Sequence, residues 1–181
     1  MKLNLGCGNH FPEGWINADL DQHWHDTGKD IDLIRGEPLP WENDTFDQII
    51  LFLVLNHVPL DEMDGFLSEV ERILSPEGRL LVLDEHHPDG VPEHKIHEAI
   101  GTSGRWHCYA EALDALLCPF FSSEILWKAE GDASGVDFAI PDSSVLNEGR
   151  FNYTDSDGFA WPIKGLGQHS CLIVANSNGS L

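Results

Sequence analysis

Short apolar runs alternate with helical patterns along most of this chain. Residues 2–5 form a first apolar run that ends in the glycines Gly6 and Gly8, which predicts a buried strand followed by a tight turn. A second short strand is predicted over 15–18. Because a parallel crossover ordinarily needs a dozen or more residues, the short connection between these strands predicts a first helix reduced to about one turn.

The middle of the chain carries the clearest pattern. Residues 46–55 form a long apolar run, which predicts a central strand covered on both faces. Apolar positions at helical spacing over 60–74, with Pro59 at the start, predict an amphipathic helix. The turn residues 76–78 then lead into another buried strand predicted over 79–83.

The remaining elements are shorter. Apolar positions predict a helix over 109–117, and three further strands are predicted over 30–34, 122–127 and 169–175. The Gly/Asp/Ser-rich stretch 129–168 is interpreted as an excursion between the last two strands that covers the site. We therefore expect one α/β domain over 1–181, doubly wound, with a mostly parallel seven-stranded sheet.

Size and charge narrow the class of protein. With 181 residues and 41% hydrophobic residues, the chain can bury one core. Its 31 acidic residues outnumber 10 basic ones, for a formal net charge of -21. Such a surface repels phosphate backbones, so a nucleic acid partner is disfavoured. An acid excess also fits adaptation to high salt, which stays open as a second interpretation.

The cysteines and the apolar runs indicate the compartment. Cys7, Cys108, Cys118 and Cys171 are scattered without a CxxC pair, which favours reduced thiols. No run approaches the roughly 20 apolar residues of a membrane span, and no export leader precedes the first strand. A soluble cytoplasmic protein is expected.

Ligands of parallel α/β sheets bind beyond the carboxyl ends of the strands. Glycines after the first strand and Asp19 after the second would suit a nucleotide, because the backbone can approach the ligand and a carboxylate accepts ribose hydrogen bonds. A dinucleotide-dependent oxidoreductase is the first alternative, but Phe11 occupies the third glycine position of GxGxxG. The ten histidines match no HExxH spacing, so no metal site is predicted.

Five segments in order carry a more specific resemblance. They are LNLGCGN at 3–9, GWINADL at 14–20, PLPW at 38–41 with TFD at 45–47, VLNHV at 54–58, and EVERILSPEG at 69–78. The chain resembles the small bacterial "type 11" group of class I S-adenosylmethionine-dependent methyltransferases. The resemblance implies the Rossmann-like methyltransferase fold and S-adenosylmethionine as cofactor.

The resemblance also implies a cofactor site. The glycine loop would pack against the amino-acid portion and ribose, an acidic residue would hold the ribose hydroxyls, and further residues would meet the adenine and the methionine end. These residues are, in chain order, Leu5, Gly6, Cys7, Gly8, Asp19, Leu20, Asp32, Leu33, Asn56 and His57. Two departures from the family are expected: no N-terminal cover helix, since the chain begins at the first strand, and His10 in place of a loop glycine.

The acceptor is predicted to be a small molecule or a glycan precursor. The Asn/Asp-Pro-Pro-Tyr motif of amino-methylating nucleic acid enzymes is absent after the fourth strand. If the acceptor must lose a proton, His86 or His87 is the candidate base, and segments 85–107 and 129–168 are expected to roof the pocket. The alternative is a non-catalytic S-adenosylmethionine-binding protein with a regulatory or assembly role.

The acid excess generates a first testable prediction. If it reflects a salty habitat, added ions should screen repulsion among the 31 acidic side chains and stabilise the folded state. The melting temperature should then rise markedly between low-salt buffer and molar KCl, as followed by circular dichroism. A melting temperature that does not respond to KCl would contradict this interpretation.

Overall fold

The computed structural model describes residues 1–8, 11–19, 38–55, 58–85, 110–128, 151–154, 160–163 and 170–178. Two helices and eight strands lie in these ranges. In chain order they are β1 Lys2–Leu5, β2 Ile16–Ala18, β3 Phe46–Phe52, α1 Met63–Ile73, β4 Leu74–Glu85, α2 Ala110–Leu117, β5 Phe121–Lys128, β6 Phe151–Thr154, β7 Ala160–Ile163 and β8 Ser170–Ser177.

Six of the strands form one sheet in the order β2-β1-β3-β4-β8-β5. The pairs β2-β1, β1-β3 and β3-β4 are parallel, whereas β8 runs antiparallel to both β4 and β5. Within this sheet, every strand except β8 therefore points the same way, and the predicted mostly parallel α/β sheet is confirmed. These six match six of the seven predicted strands, and the strand predicted over 30–34 lies outside the described residues.

A separate antiparallel pair was not predicted. Strands β6 and β7 pair with each other, with Phe151 opposite Ile163. Both lie inside the segment 129–168, of which only these two strands are described. No strand was predicted in this segment, although 151–153 and 159–163 are both short apolar runs.

The central strands differ from prediction at their ends. Strand β3 stops at Phe52 rather than at residue 55, because Leu53 adopts a left-handed conformation with φ of 54°. Strand β4 begins at Leu74 rather than at residue 79, and its pairing with β3 is irregular between Leu74 and Arg79. The predicted turn at 76–78 is therefore an irregularity within β4.

Both faces of the sheet are buried. One face packs against α1 and α2, which lie on the same side because right-handed crossovers that advance in one direction across a sheet place their helices on one face. Asn4, Ile50 and Leu81 point to the other face and are also buried. The strand residues on the helix-covered face are Leu3, Leu5, Ile49, Leu51, Leu80, Val82, Cys171, Ile173 and Ala175.

The connection from β1 to β2 is short, as expected. Its described residues, 6–8 and 11–15, contain turns and no helix, and the Trp15 N–H donates to the Pro12 carbonyl at 3.4 Å. A connection of this length leaves the chain close to the sheet edge. The carboxyl end of β1 therefore opens onto a loop instead of a full helical turn.

A charged cluster ties α1 to the segment before β3. The Arg72 guanidinium donates to both carboxylate oxygens of Glu69 at 2.8 and 2.7 Å, to the Leu39 and Trp41 carbonyls at 3.0 and 2.8 Å, and to Asn43 Oδ1 at 3.0 Å. Glu69 Oε2 also accepts from the Leu39 N–H at 2.8 Å. Hydrogen bonding from Arg72 holds the pKa of Glu69 below its usual value. This cluster lies at the amino-terminal edge of the parallel strands.

We expect the Arg72 cluster to contribute measurably to stability. Arg72→Met should lower the free energy of unfolding by about 1–3 kcal/mol, because two carbonyls and the Glu69 carboxylate lose their donor. Arg72→Lys should recover only part of this loss, since an ammonium cannot reproduce the planar set of bonds.

Urea unfolding of both variants measures the effect, with Ser68→Ala on the exposed side of α1 as the control. A lysine variant as stable as the parent would show that charge alone matters. An Arg72→Met variant no less stable than Ser68→Ala would contradict the prediction.

Candidate functional site

The candidate site lies at the carboxyl end of β1. This strand pairs with β2 on one side and β3 on the other, and the chain leaves β1 toward β2 before it returns to β3. In open parallel sheets the crevice at such a reversal of strand order is where ligands bind. The loop after β1 and the residues that follow β2 and β3 therefore form the floor of the site.

Gly6 closes the end of β1 in a conformation that suits only glycine. Its φ is 74°, and its N–H donates to the Ala18 carbonyl at 2.8 Å. The Cys7 N–H donates to the same carbonyl at 3.1 Å. A Cβ on Gly6 would overlap Cγ2 of Val54, which follows β3 and is 4% exposed. The loop thus packs directly on the end of the central strand.

Asp19 joins the same loop from the end of β2. The Gly8 N–H donates to Asp19 Oδ2 at 2.6 Å, a charge-assisted hydrogen bond. Gly8 is exposed with φ of 49°, and no atom of the described residues, apart from its chain neighbours, lies within 4 Å of the position that a Cβ would take. The structure therefore brings the glycine loop and the predicted acidic residue together, with open space beside the backbone of Gly8.

Cys7 contributes a neutral side chain to this loop. Burial, with a smaller contribution from the negative charge of Asp19, raises the pKa of the Cys7 thiol to about 12. The thiol therefore stays protonated at neutral pH, and the nucleophilic thiolate is not populated. Cys7 fits the packing role that the resemblance implied rather than a covalent one.

The ends of β3 and β4 complete the described edge. The Leu53 N–H donates to the Leu83 carbonyl at 2.8 Å, so the backbone that leaves β3 is held against β4. Asp84 follows Leu83, is 1% exposed and lies opposite Cys171 of β8. A buried carboxylate is costly unless it is partnered, and Asp84 does make interactions in the folded chain.

The predicted site residues divide into two groups. Leu5, Gly6, Cys7, Gly8 and Asp19 lie together at the ends of β1 and β2. The other predicted residues lie outside the described part of the chain, and their roles stay predictions. They are Leu20, Asp32, Leu33, Asn56, His57, His86 and His87.

Sequence reasoning missed Val54. It was assigned to the end of the central strand, whereas it turns back into the core and touches Gly6. In the sequence, the contact corresponds only to a glycine after β1 and a branched apolar residue after β3. These two positions can be recognised as neighbours only when the pairing of β1 with β3 is known.

The described ranges contain no group of three or more His, Cys, Asp or Glu side chains placed to hold a metal ion. Within the same ranges, neither α1 nor α2 has the length and apolar character required to cross a membrane.

Part of the chain matches one protein-family model. A family model described as a methyltransferase domain matches residues 3–82. No curated protein matches the chain significantly.

Solved structures with similar folds cover nearly the whole chain. The YcgJ protein of Bacillus subtilis is 15% identical with a TM-score of 0.57, over 99% of this chain and 92% of its own. An S-adenosylmethionine-dependent methyltransferase from Methanosarcina mazei is 15% identical with a TM-score of 0.53, over 97% and 91%. A TehB-like S-adenosylmethionine-dependent methyltransferase from Corynebacterium glutamicum is 16% identical with a TM-score of 0.52, over 98% and 79%. At this identity the likeness establishes the fold.

The packing of Val54 on Gly6 can be tested by a double-mutant cycle. Gly6→Ala should destabilise the protein by about 2–4 kcal/mol, because it adds both the cost of a left-handed alanine and a steric overlap. Gly8→Ala should cost only the conformational part, since its surroundings are open.

Adding Val54→Ala to Gly6→Ala should recover part of the loss, because the overlapping methyl is removed. Urea unfolding of the single and double variants gives the coupling free energy. Strictly additive losses would show that Val54 does not press on the glycine loop.

Proposed function

We propose that the chain is a class I S-adenosylmethionine-dependent methyltransferase, because residues 3–82 match a methyltransferase domain, and that it methylates a small molecule or a glycan precursor. The main support for this proposal is a hydrogen bond between the loop after β1 and the end of β2. The Gly8 N–H and Asp19 Oδ2, from the ends of neighbouring strands, meet at 2.6 Å where the strand order reverses. This places a carboxylate beside an open, side-chain-free stretch of backbone.

The described residues fit the cofactor. Gly8 places no side chain between the backbone and a ligand, and Asp19 has a carboxylate that can accept hydrogen bonds from two ribose hydroxyls. Cys7 contributes a protonated thiol, so no thiolate would lie beside the electrophilic cofactor. We propose that Leu5 and Leu20 flank this loop, that Asp32 and Leu33 meet the adenine, and that Asn56 and His57 meet the methionine end.

In this reaction the main task of the protein is to position the cofactor and the acceptor. Bound S-adenosylmethionine supplies an electrophilic methyl group on a sulfonium. The residues at the ends of β3 and β4 would hold the acceptor so that its lone pair lies in line with that methyl, and orientation of this kind supplies much of the acceleration. If the acceptor atom carries a proton, we propose His86 or His87 as the base that removes it.

Charge favours a small acceptor over a nucleic acid. The formal net charge of -21 repels polyanions at every distance within the screening length. Among the described basic residues, Lys2 begins β1 and Arg72 ends α1 at the amino-terminal edge, whereas Lys128 ends β5 at the carboxyl edge. The acid excess of the whole sequence therefore supports a neutral or cationic acceptor.

The thiols support a reducing compartment. Cys7, Cys118 and Cys171 carry thiols rather than disulfides, and Cys7 and Cys171 are buried. We propose a cytoplasmic location on this ground, because disulfides form in oxidising compartments.

The proposed cofactor site predicts a specific binding defect. S-adenosylhomocysteine should bind with micromolar affinity by calorimetry, and Asp19→Ala should weaken binding by about 1.5–3 kcal/mol, because a charged acceptor of ribose hydrogen bonds is lost. Asp47→Asn is the matched control, since it also removes one negative charge but lies exposed at the opposite edge.

NAD serves as the competing ligand. Tight NAD binding without S-adenosylhomocysteine binding would contradict the proposal, and an Asp19→Ala variant with parental affinity would remove Asp19 from the site. Binding of S-adenosylmethionine without methyl transfer to any acceptor would favour the regulatory alternative.

A further inference from the structure

Leu53 stands out among the apolar residues of the described chain. It is 44% exposed, and its φ of 54° lies in the left-handed region that bulky residues rarely adopt. Met1 and Phe11 are the other large apolar residues exposed in the described ranges. Only Leu53 combines exposure with a strained backbone, and it does so at the end of a central strand.

The backbone of Leu53 is fixed from both sides. Its N–H donates to the Leu83 carbonyl on β4 at 2.8 Å. The next two residues, Val54 and Leu55, are 4% and 0% exposed, and Val54 packs on Gly6. The chain must therefore turn at Leu53, and the turn directs its side chain away from the core. Glycine or asparagine would satisfy this conformation with less strain.

Leu53 also lies beside the proposed cofactor site. In the sheet register Leu5 pairs with Leu51 and Leu51 pairs with Val82, so β1 and β3 end at nearly the same level and β4 runs on to Glu85. Leu53 is two residues beyond that level, on the strand next to β1, and neighbouring strands are about 4.8 Å apart. The contact of Val54 with Gly6 makes the segment around Leu53 continuous with the glycine loop.

The cofactor and the acceptor would occupy different sides of the site. The Gly8–Asp19 bond places the ribose-binding groups on the β1–β2 side. An acceptor must approach from the remaining side, over the ends of β3 and β4, where Leu53 is exposed. An exposed apolar side chain retained in a strained conformation at such a position points to a binding role rather than to stability.

We propose that Leu53 contacts the acceptor and selects one with an apolar face, aromatic or aliphatic, beside the atom that receives the methyl group. The acceptor is neutral or cationic, since the protein carries a formal net charge of -21. This inference rests on the proposed function, and of the two acceptor classes considered there it selects the apolar small molecule over the glycan precursor.

The test uses the full chain loaded with S-adenosylhomocysteine and two neutral probes, indole and benzyl alcohol, with glucose and glycerol as polar comparators. Saturation-transfer NMR should detect binding of the apolar probes only. Leu53→Asn and Leu53→Gly should weaken indole binding at least fivefold, whereas Leu53→Met, which keeps an apolar side chain, should bind indole within twofold of the parent. All variants should keep S-adenosylhomocysteine affinity within twofold.

Melting temperature separates binding from a structural role. Leu53→Asn and Leu53→Gly should melt at or above the parent temperature, because both residues tolerate a left-handed backbone. The inference is overturned if these variants melt lower, if they bind indole like the parent, or if the loaded parent binds neither apolar probe at millimolar concentration. Failure to bind S-adenosylhomocysteine would instead refute the proposed function.

Discussion

The contact between Val54 and Gly6 constrains the rest of the site. Because the side chain of Val54 occupies the space where a Cβ on Gly6 would lie, the loop after β1 must be glycine at this point and must turn with a positive φ. That turn directs the N–H groups of Gly6 and Cys7 to the Ala18 carbonyl of β2. One packing contact between neighbouring strands thus sets the geometry of three strand ends.

The two edges of the sheet have different chemistry. At the amino-terminal edge, Arg72 and Glu69 anchor the segment before β3, and the amino group of Met1 pairs with Asp47 at 2.7 Å. At the carboxyl edge the described groups include glycine backbone, the carboxylates of Asp19 and Asp84, the neutral thiol of Cys7 and the exposed side chain of Leu53. The first edge is built for attachment of a loop, and the second leaves backbone accessible to a ligand.

The electrostatic character of the carboxyl edge suits an electrophilic, cationic cofactor. Asp19 is negative, while Cys7 stays protonated because burial and the nearby carboxylate raise the pKa of its thiol to about 12. A negative group can therefore bind a ligand without placing a strong nucleophile beside it. The formal net charge of -21 adds to this preference for a cationic ligand.

Local patterns in the sequence were sufficient for the two helices and the six strands of the main sheet, but not for β6 and β7. Apolar periodicity located these elements, and the glycines with Asp19 marked the loop at the end of β1, because strand ends and tight turns are encoded by nearby residues. The tertiary structure alone decided where β3 stops, since Leu53 is turned by a bond to Leu83 and by the burial of Val54. Contacts between distant segments determine such features, and no local pattern specifies them.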